Sequence, residues 1–296
     1  MGDVYVESRR AFLLRTQNVD GGWGYFPGKS SWLEPTAYVM LALHGNGQCA
    51  DTLVRAWRLV QSWQLPGGSW RPGSQVHEGT WVTALGLTLT SIMPAPEAAR
   101  FHAVGALLRT DGAERCNKFR IMELLGLGHI EEDTSHAAWP WRAGTSSWIE
   151  PTVHSVIALK KAQAIRPISH VANRIREGEE MILARRCADG GWNHGAPVAL
   201  KIPIGSYPES TALGLLALQG RSKETHRAHE LARRYYATSK SPLARAWLAI
   251  ALYIWGDNPE FPLENALPPG DIMLAALQLL AHPDGNHELF RTKEVA

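Results

Sequence analysis

The sequence predicts an all-α protein, an (α/α)6 toroid of about twelve alternating inner and outer helices, as a single domain over residues 1–296. Helical segments that are apolar on nearly every side alternate with segments that are apolar on one face only. Strand signals are nearly absent. The last apolar segment, residues 269–282, needs cover that the first helix can supply, which favours a closed ring over an open solenoid.

The apolar segments share a Glu-x-Thr start. The stretches "SSWLEPTAYVMLAL", "SSWIEPTVHSVIAL" and "SYPESTALGLLAL" end at Leu43, Leu159 and Leu218, and "HEGTWVTALGLTLT" is similar to them. Because a helix that is apolar all round must be covered all round, these segments are assigned to the inner ring. The amphipathic segments between them are assigned to the outer ring. The predicted helices cover residues 5–17, 35–45, 50–64, 79–92, 96–109, 117–128, 151–165, 168–186, 210–220, 222–238, 241–256 and 269–282.

An Asp-Gly-Gly-Trp loop occurs twice, at residues 20–23 and 189–192. Two glycines permit a tight turn with positive φ, and a tryptophan can pack over it. The pattern therefore predicts joints between outer and inner helices. The alternative, in which Asp20, Trp23, Asp189 and Trp192 contact a ligand, stays open.

The bulk composition excludes several classes of protein. Hydrophobic residues make up 45% and charged residues 20%, and the net charge is +2, so neither nucleic acid nor an anionic membrane is indicated as a partner. Three scattered cysteines, Cys49, Cys116 and Cys187, indicate a reducing compartment. The N-terminus lacks a signal-peptide pattern, and no apolar run reaches the roughly 18–20 residues of a transmembrane segment. We expect a soluble, cytoplasmic protein.

Three segments carry a more specific signal. "FLLRTQNVDGGW", which ends at Trp23, resembles the QW motif of squalene–hopene and oxidosqualene cyclases. "LVQSWQLPGGSW", which ends at Trp70, has the same spacing, and "MILARRCADGGW" has Arg186 in place of the glutamine. The chain thus resembles one toroid of the terpene cyclase and protein prenyltransferase superfamily. In this motif the glutamine amide can hydrogen-bond to backbone groups that are left without a partner at helix ends.

The resemblance implies that an acid at the start of an inner helix would initiate catalysis. Class II terpene cyclases carry a D-x-D-D-T-A motif there, and its middle aspartate protonates the substrate. This chain lacks the motif and has Glu34, Glu150 and Glu209 at the equivalent starts, so these are the candidate catalytic acids. The structural alternative is that a carboxylate at a helix start is favoured by the helix dipole, by about 0.3–1 kcal/mol.

The candidate substrate-binding residues are aromatic or polar side chains near those helix starts. Aromatic walls suit an isoprenoid and can stabilise a carbocation, although an aromatic residue at helical spacing is more often part of the core. His154 follows Glu150 by four residues and therefore shares its helix face. The candidates are Trp32, Tyr38, Glu78, Trp81, Trp148, His154 and Tyr207, with Trp247 as a further possibility.

We expect no metal and no cofactor. Protein prenyltransferases bind zinc through Asp, Cys and His, and this sequence has no D-x-C motif with a distant histidine. His226 and His229 fall on an amphipathic outer helix and are predicted to be surface residues, and residues 129–136 are predicted to be a solvated helix end.

Two functions from different classes remain open. The first is a terpene cyclase-like isomerase that acts on or binds an isoprenoid, or another hydrophobic small molecule, in the central cavity. The second is a non-catalytic toroid that binds or senses a lipid or protein partner. A carbohydrate enzyme is a third possibility and would need two carboxylates facing one bond.

Overall fold

A computed structural model describes residues 2–115, 136, 138–261 and 267–292. Among these residues, a short antiparallel hairpin joins β1 (Val198–Ala199) to β2 (Ile202–Pro203). The helix predicted at 117–128, most of the segment 129–136 and Cys116 lie outside the described residues. The α-helices of the described residues are α1 (Gly2–Arg15), α2 (Leu33–Leu43), α3 (Ala50–Ser62), α4 (Thr83–Leu89), α5 (Glu97–Arg109), α6 (Ile149–Ile165), α7 (Val171–Ala184), α8 (Pro208–Ala217), α9 (Ser222–Thr238), α10 (Pro242–Ile254) and α11 (Ile272–Leu280).

Six of the described helices form a closed inner ring. Helix α2 packs on α4, α4 on α6, α6 on α8, α8 on α10 and α10 on α11, and α11 returns to α2. Helices α1, α3, α5, α7 and α9 pack against the outside of this ring. Helix α1 covers α11, as the sequence predicts, and the α/α toroid is confirmed. No helix in the described stretches of the chain combines the length and apolar character that a bilayer-spanning segment needs.

The strict alternation of inner and outer helices stops near the C-terminus. Helices α10 and α11 are both inner, and no described helix lies between them. Both are rich in buried apolar residues, because each is covered on several sides. The outer cover of α11 comes instead from α1, at the other end of the chain. Ring closure therefore depends on contacts between the two termini.

Four joints of the same design connect outer to inner helices. In each joint a fully buried tryptophan donates its indole N–H to a carbonyl of the preceding outer helix, at 2.6 to 2.9 Å. A threonine in the first turn of the inner helix accepts a hydrogen bond from the backbone N–H of that tryptophan, at 3.0 to 3.2 Å. The threonine of the Glu-x-Thr pattern is therefore a structural residue. The pairs are Trp23 with Thr36, Trp70 with Thr83, Trp139 with Thr152 and Trp192 with Thr211.

The glycine and glutamine of the joint have distinct roles. Gly21 has a φ of 96°, and a Cβ there would lie 2.8 Å from the carbonyl oxygen of Arg55, so a side chain is excluded. The Gln17 amide donates to the carbonyls of Gly21 and Thr52, at 2.8 and 3.0 Å. It thereby satisfies carbonyls of the loop and of the next outer helix. Arg186, which replaces this glutamine in the last joint, likewise donates to a backbone carbonyl of the following outer helix.

Asn286 connects the C-terminal segment to the end of α2 by hydrogen bonds. Its amide nitrogen donates to the carbonyls of Leu41, Ala42 and His44, at 3.1, 3.3 and 2.7 Å. We expect Asn286→Ala to lower the free energy of unfolding by about 1–2 kcal/mol, because these carbonyls lose their donor. Asn286→Asp should cost more, because a carboxylate would face the same carbonyls. Urea unfolding of both variants checks this, and an Asp variant as stable as the Ala variant would contradict it.

Candidate functional site

The mouth of the toroid is the end of the ring at which the inner helices begin. Helices α2 and α6 follow an extended residue whose side chain provides no cap. Their first N–H groups, and that of α11, instead donate to carbonyls of neighbouring mouth loops. These bonds fix the helix starts side by side. They run from Leu33 to Pro72 at 2.8 Å, from Ile149 to His194 at 3.0 Å and from Ile272 to Tyr25 at 2.8 Å.

Glu34 and Glu150 converge at this mouth. Each is the second residue of its inner helix, and α2 and α6 flank α4 in the ring. Burial raises the pKa of Glu150 to about 8, and the negative charge of Glu34 adds to the increase. No donor among the described residues binds the Glu150 carboxyl. Glu150 is therefore largely protonated at neutral pH.

Glu34 has a different environment. The Tyr25 hydroxyl donates a hydrogen bond to the Glu34 carboxylate. Burial raises the pKa of Glu34, the bond from Tyr25 opposes this, and the charge of Asp271 adds to it. Asp271 itself caps α11 by accepting from the backbone N–H of Leu274 at 2.9 Å. Of the two central carboxyls, Glu34 is thus the better placed to stay ionised while Glu150 holds a proton.

One helical turn deeper, aromatic side chains fill the axis. The Tyr38 hydroxyl lies 3.2 Å from His154 Nε2, and the ring of Trp247 contacts both, with centroid distances of 5.6 and 6.2 Å. These three side chains are between 1 and 4% exposed, so this level of the axis is packed. Burial lowers the pKa of His154 to about 4, and its imidazole is neutral. A ligand that enters the mouth meets the carboxyls before it reaches this layer.

An aromatic rim lies at the same mouth, because Trp32, Trp148 and Tyr207 directly precede inner helices. The ring of His194 lies 6.4 Å from that of Trp148 and 5.1 Å from that of Tyr207. The Trp81 ring, between the two carboxyl-bearing helices, lies 5.4 Å from the ring of His154. Trp32 and Tyr207 are 37% and 41% exposed, so both are accessible from solvent.

Two predicted residues lie apart from the Glu34–Glu150 pair. Glu209 is at the start of α8 and accepts a hydrogen bond from the Ser241 hydroxyl at 3.3 Å. Glu78 is exposed and forms an ion pair with Arg142 at 3.1 Å. The joint threonine of this repeat is Thr83, not Thr80, so Trp81 occupies the place that the other repeats give to glutamate.

The sequence reasoning missed Tyr25 and Asp271. Tyr25 follows the joint tryptophan by two residues, and Asp271 follows a Pro-Pro-Gly turn as a helix cap, which was a readable signal. Within the described residues, no group of His, Cys, Asp and Glu side chains has the arrangement of a metal site. His226 is exposed as predicted, but the His229 side chain is only 15% exposed and bonds to Asp257 at 2.9 Å, so the prediction of a surface residue is wrong for His229.

No protein-family model matches the chain, but one curated protein and several solved structures are similar to it. Over 60 residues, or 20% of its length, the chain is 40% identical to drimenyl diphosphate synthase from Streptantibioticus cattleyicolor. That segment spans only 11% of the synthase.

Solved structures match over most of the chain. The type II terpene cyclase MstE from Scytonema, as a variant in complex with geranylgeranyl dihydroxybenzoate, has a TM-score of 0.56 at 16% identity over 86% of this chain and 72% of its own. An α-amylase from Clostridium perfringens has a TM-score of 0.59 at 10% identity over 94% and 97%. At such identities the likeness is one of fold. The chain has the terpene cyclase-like α/α toroid that its joint motifs predict.

Proposed function

We propose that this protein binds an isoprenoid at the toroid mouth and isomerises it by protonation, with Glu150 as the proton donor. The observation that carries the proposal is the convergence of Glu34 and Glu150 inside an aromatic rim. One carboxyl of the pair is held protonated while its neighbour is bonded to Tyr25. The short match to drimenyl diphosphate synthase and the fold shared with MstE support an isoprenoid as the substrate.

The proposed reaction needs no cofactor. The Glu150 proton adds to one carbon of an alkene, the π bond breaks, and a carbocation forms at the other carbon. A second alkene of the same chain attacks this cation, and loss of a proton to water ends the cyclisation. Water then returns a proton to Glu150, so the product is an isomer of the substrate.

Electrostatic effects both oppose and assist the transfer of the Glu150 proton to the alkene. The burial and charge that keep Glu150 protonated also make it a weak acid, which slows proton release. The Glu34 carboxylate can offset this by stabilising the cation that develops beside it. The faces of Trp81 and Trp148 can stabilise the same cation.

The packed aromatic layer favours a second candidate. Because Tyr38, His154 and Trp247 fill the axis below the carboxyls, a long substrate finds no deep channel at that level. A non-catalytic module that binds a lipid or a partner chain at the mouth would not need a deep channel. In that case the glutamate pair would serve recognition.

The deciding experiment compares binding with conversion. Wild type and Glu150→Gln are incubated with farnesyl and geranylgeranyl diphosphates, squalene and a maltooligosaccharide. Native mass spectrometry reports binding, and gas chromatography reports products after dephosphorylation where needed. We expect Glu150→Gln to bind an isoprenoid as wild type does and to lose at least about 100-fold in turnover.

Glu78→Gln is the matched control, because it neutralises an exposed carboxylate and should leave turnover unchanged. Binding of an isoprenoid without conversion by wild type would support the non-catalytic module. Conversion of the oligosaccharide, or no isoprenoid binding, would contradict the proposed function.

A further inference from the structure

We propose that a cavity in the wall of the toroid binds a small oxyanion that carries an apolar group. This wall cavity has a volume of about 190 Å³ and lies among the outer helices α1 and α9 and the inner helices α10 and α11. Neither Glu34 nor Glu150 lines it. The proposal therefore does not depend on the proposed function of the mouth.

The charge of the lining points to an anionic ligand. Arg9, Lys240 and Arg245 line the wall cavity, and among the described residues that line it none is a carboxylate. The Tyr236 hydroxyl donates to the backbone carbonyl of Glu260, but that residue is exposed and lies outside the lining. Three cations around one small concave space raise the local concentration of anions.

Arg245 offers an unused donor to such an anion. Its Nε atom is buried and has no hydrogen-bond partner among the described residues. Its guanidinium lies 5.3 Å from the centroid of the Tyr236 ring. A buried donor without an acceptor is unfavourable. An oxyanion in the cavity would supply both the acceptor and the opposite charge.

Arg9 is fixed in position on the opposite wall. Its side chain is almost fully buried and stacks on the ring of Tyr5, 3.3 Å from the centroid. Its Nε donates to the Gln278 side-chain oxygen at 2.9 Å, and one terminal nitrogen donates to the Tyr5 carbonyl at 3.3 Å. Burial lowers the pKa of Arg9, so a nearby negative charge would stabilise its charged form. The guanidinium is thus held in place before a ligand arrives, which limits the entropy lost on binding.

Aromatic side chains select the rest of the ligand. The Tyr5 and Phe261 rings meet edge to face, with centroids 5.3 Å apart, and Tyr236 lines the same cavity. These surfaces favour an apolar group attached to the oxyanion. A phosphate monoester or a carboxylate with an aromatic or aliphatic substituent satisfies both requirements, and guanidinium groups bind either oxyanion well.

Isothermal titration calorimetry of the whole chain tests the site with phenyl phosphate, benzoate, inorganic phosphate and neutral benzyl alcohol. Ionic strength is held constant with sodium chloride, because exposed cations attract anions weakly and non-specifically. We expect phenyl phosphate or benzoate to bind saturably at one site per chain. Benzyl alcohol should not bind measurably, and inorganic phosphate should bind more weakly than phenyl phosphate. The two anionic arms identify which oxyanion the site prefers.

Variants locate the binding. Arg245→Met should weaken it by about ten-fold or more, the loss expected for one charge-assisted hydrogen bond. Lys240→Gln changes an exposed side chain at the cavity edge, so it should leave the fold intact and weaken binding several-fold. Arg234→Met removes an exposed cation on α9 outside the cavity and should change nothing. Glu150→Gln should also bind the probe as wild type does.

Three results would overturn the proposal. They are the absence of saturable binding by both organic anions, unchanged affinity in Arg245→Met and Lys240→Gln, and an equal loss in Arg234→Met. Equal affinities for inorganic and phenyl phosphate would remove the requirement for an apolar group and would overturn that half of the proposal.

Discussion

The Glu150→Gln variant is expected to be more stable than wild type at pH 9, by about 3–5 kcal/mol, and equally stable near pH 4.5. The pKa of Glu150 is raised in the folded protein from 4.5 to about 8. Between these values the folded state binds the proton and the unfolded state does not, so wild type loses stability as pH rises. Above the folded pKa the loss is complete. The glutamine of the variant is neutral at every pH, so the variant does not lose this stability. Urea unfolding at pH 4.5, 7 and 9 measures the difference.

Glu78→Gln is the control for this titration. Its carboxylate is exposed, so its removal should leave the dependence of stability on pH close to that of wild type. The difference between wild type and Glu150→Gln should rise steadily between pH 4.5 and 8. A constant difference across this range would show that the Glu150 carboxyl is not held protonated by the fold.

The toroid could be predicted because its joints repeat. The spacing of Gln17 and Trp23 recurs at Gln64 and Trp70, and in both of these joints a glycine, Gly21 or Gly68, lies where a Cβ would overlap a backbone carbonyl. Such local chemistry is readable from one sequence. The way in which the ring closes was harder to predict. No described outer helix lies between α10 and α11, and α11 is covered instead by α1, which is far away in the chain.

The candidate site was predictable only in part. The common helix-start pattern indicates that glutamates gather at one mouth, but it cannot say which of them meet. That depends on ring order, which sets α2 and α6 on either side of α4. The bond from Tyr25 to Glu34 was not predicted, because Tyr25 lies in a joint loop whose other residues have structural roles. The packing of His154 against Tyr38 depends on side-chain fit across the ring, for which the sequence has no periodic signal.

Trp192→Ala is expected to lower the free energy of unfolding by about 3–5 kcal/mol. The Trp192 side chain is fully buried, and its indole N–H donates to the Ile182 carbonyl at 2.6 Å. Alanine would leave a cavity and an unpaired carbonyl at once. Trp192→Phe keeps much of the volume and loses the hydrogen bond, so it should cost about 1–2 kcal/mol.

The same joint recurs at Trp23, so Trp23→Ala should give a loss within about 1 kcal/mol of that for Trp192→Ala. Trp32→Ala is the contrast, because its side chain is 37% exposed at the rim and should cost much less. Chemical denaturation of the three alanine variants ranks these positions. If Trp32→Ala were as damaging as Trp192→Ala, the rim tryptophan would carry structure that its exposure does not indicate. If instead Trp23→Ala and Trp192→Ala differed widely, the joints would share geometry without sharing energetics, and stability would be concentrated in one half of the ring.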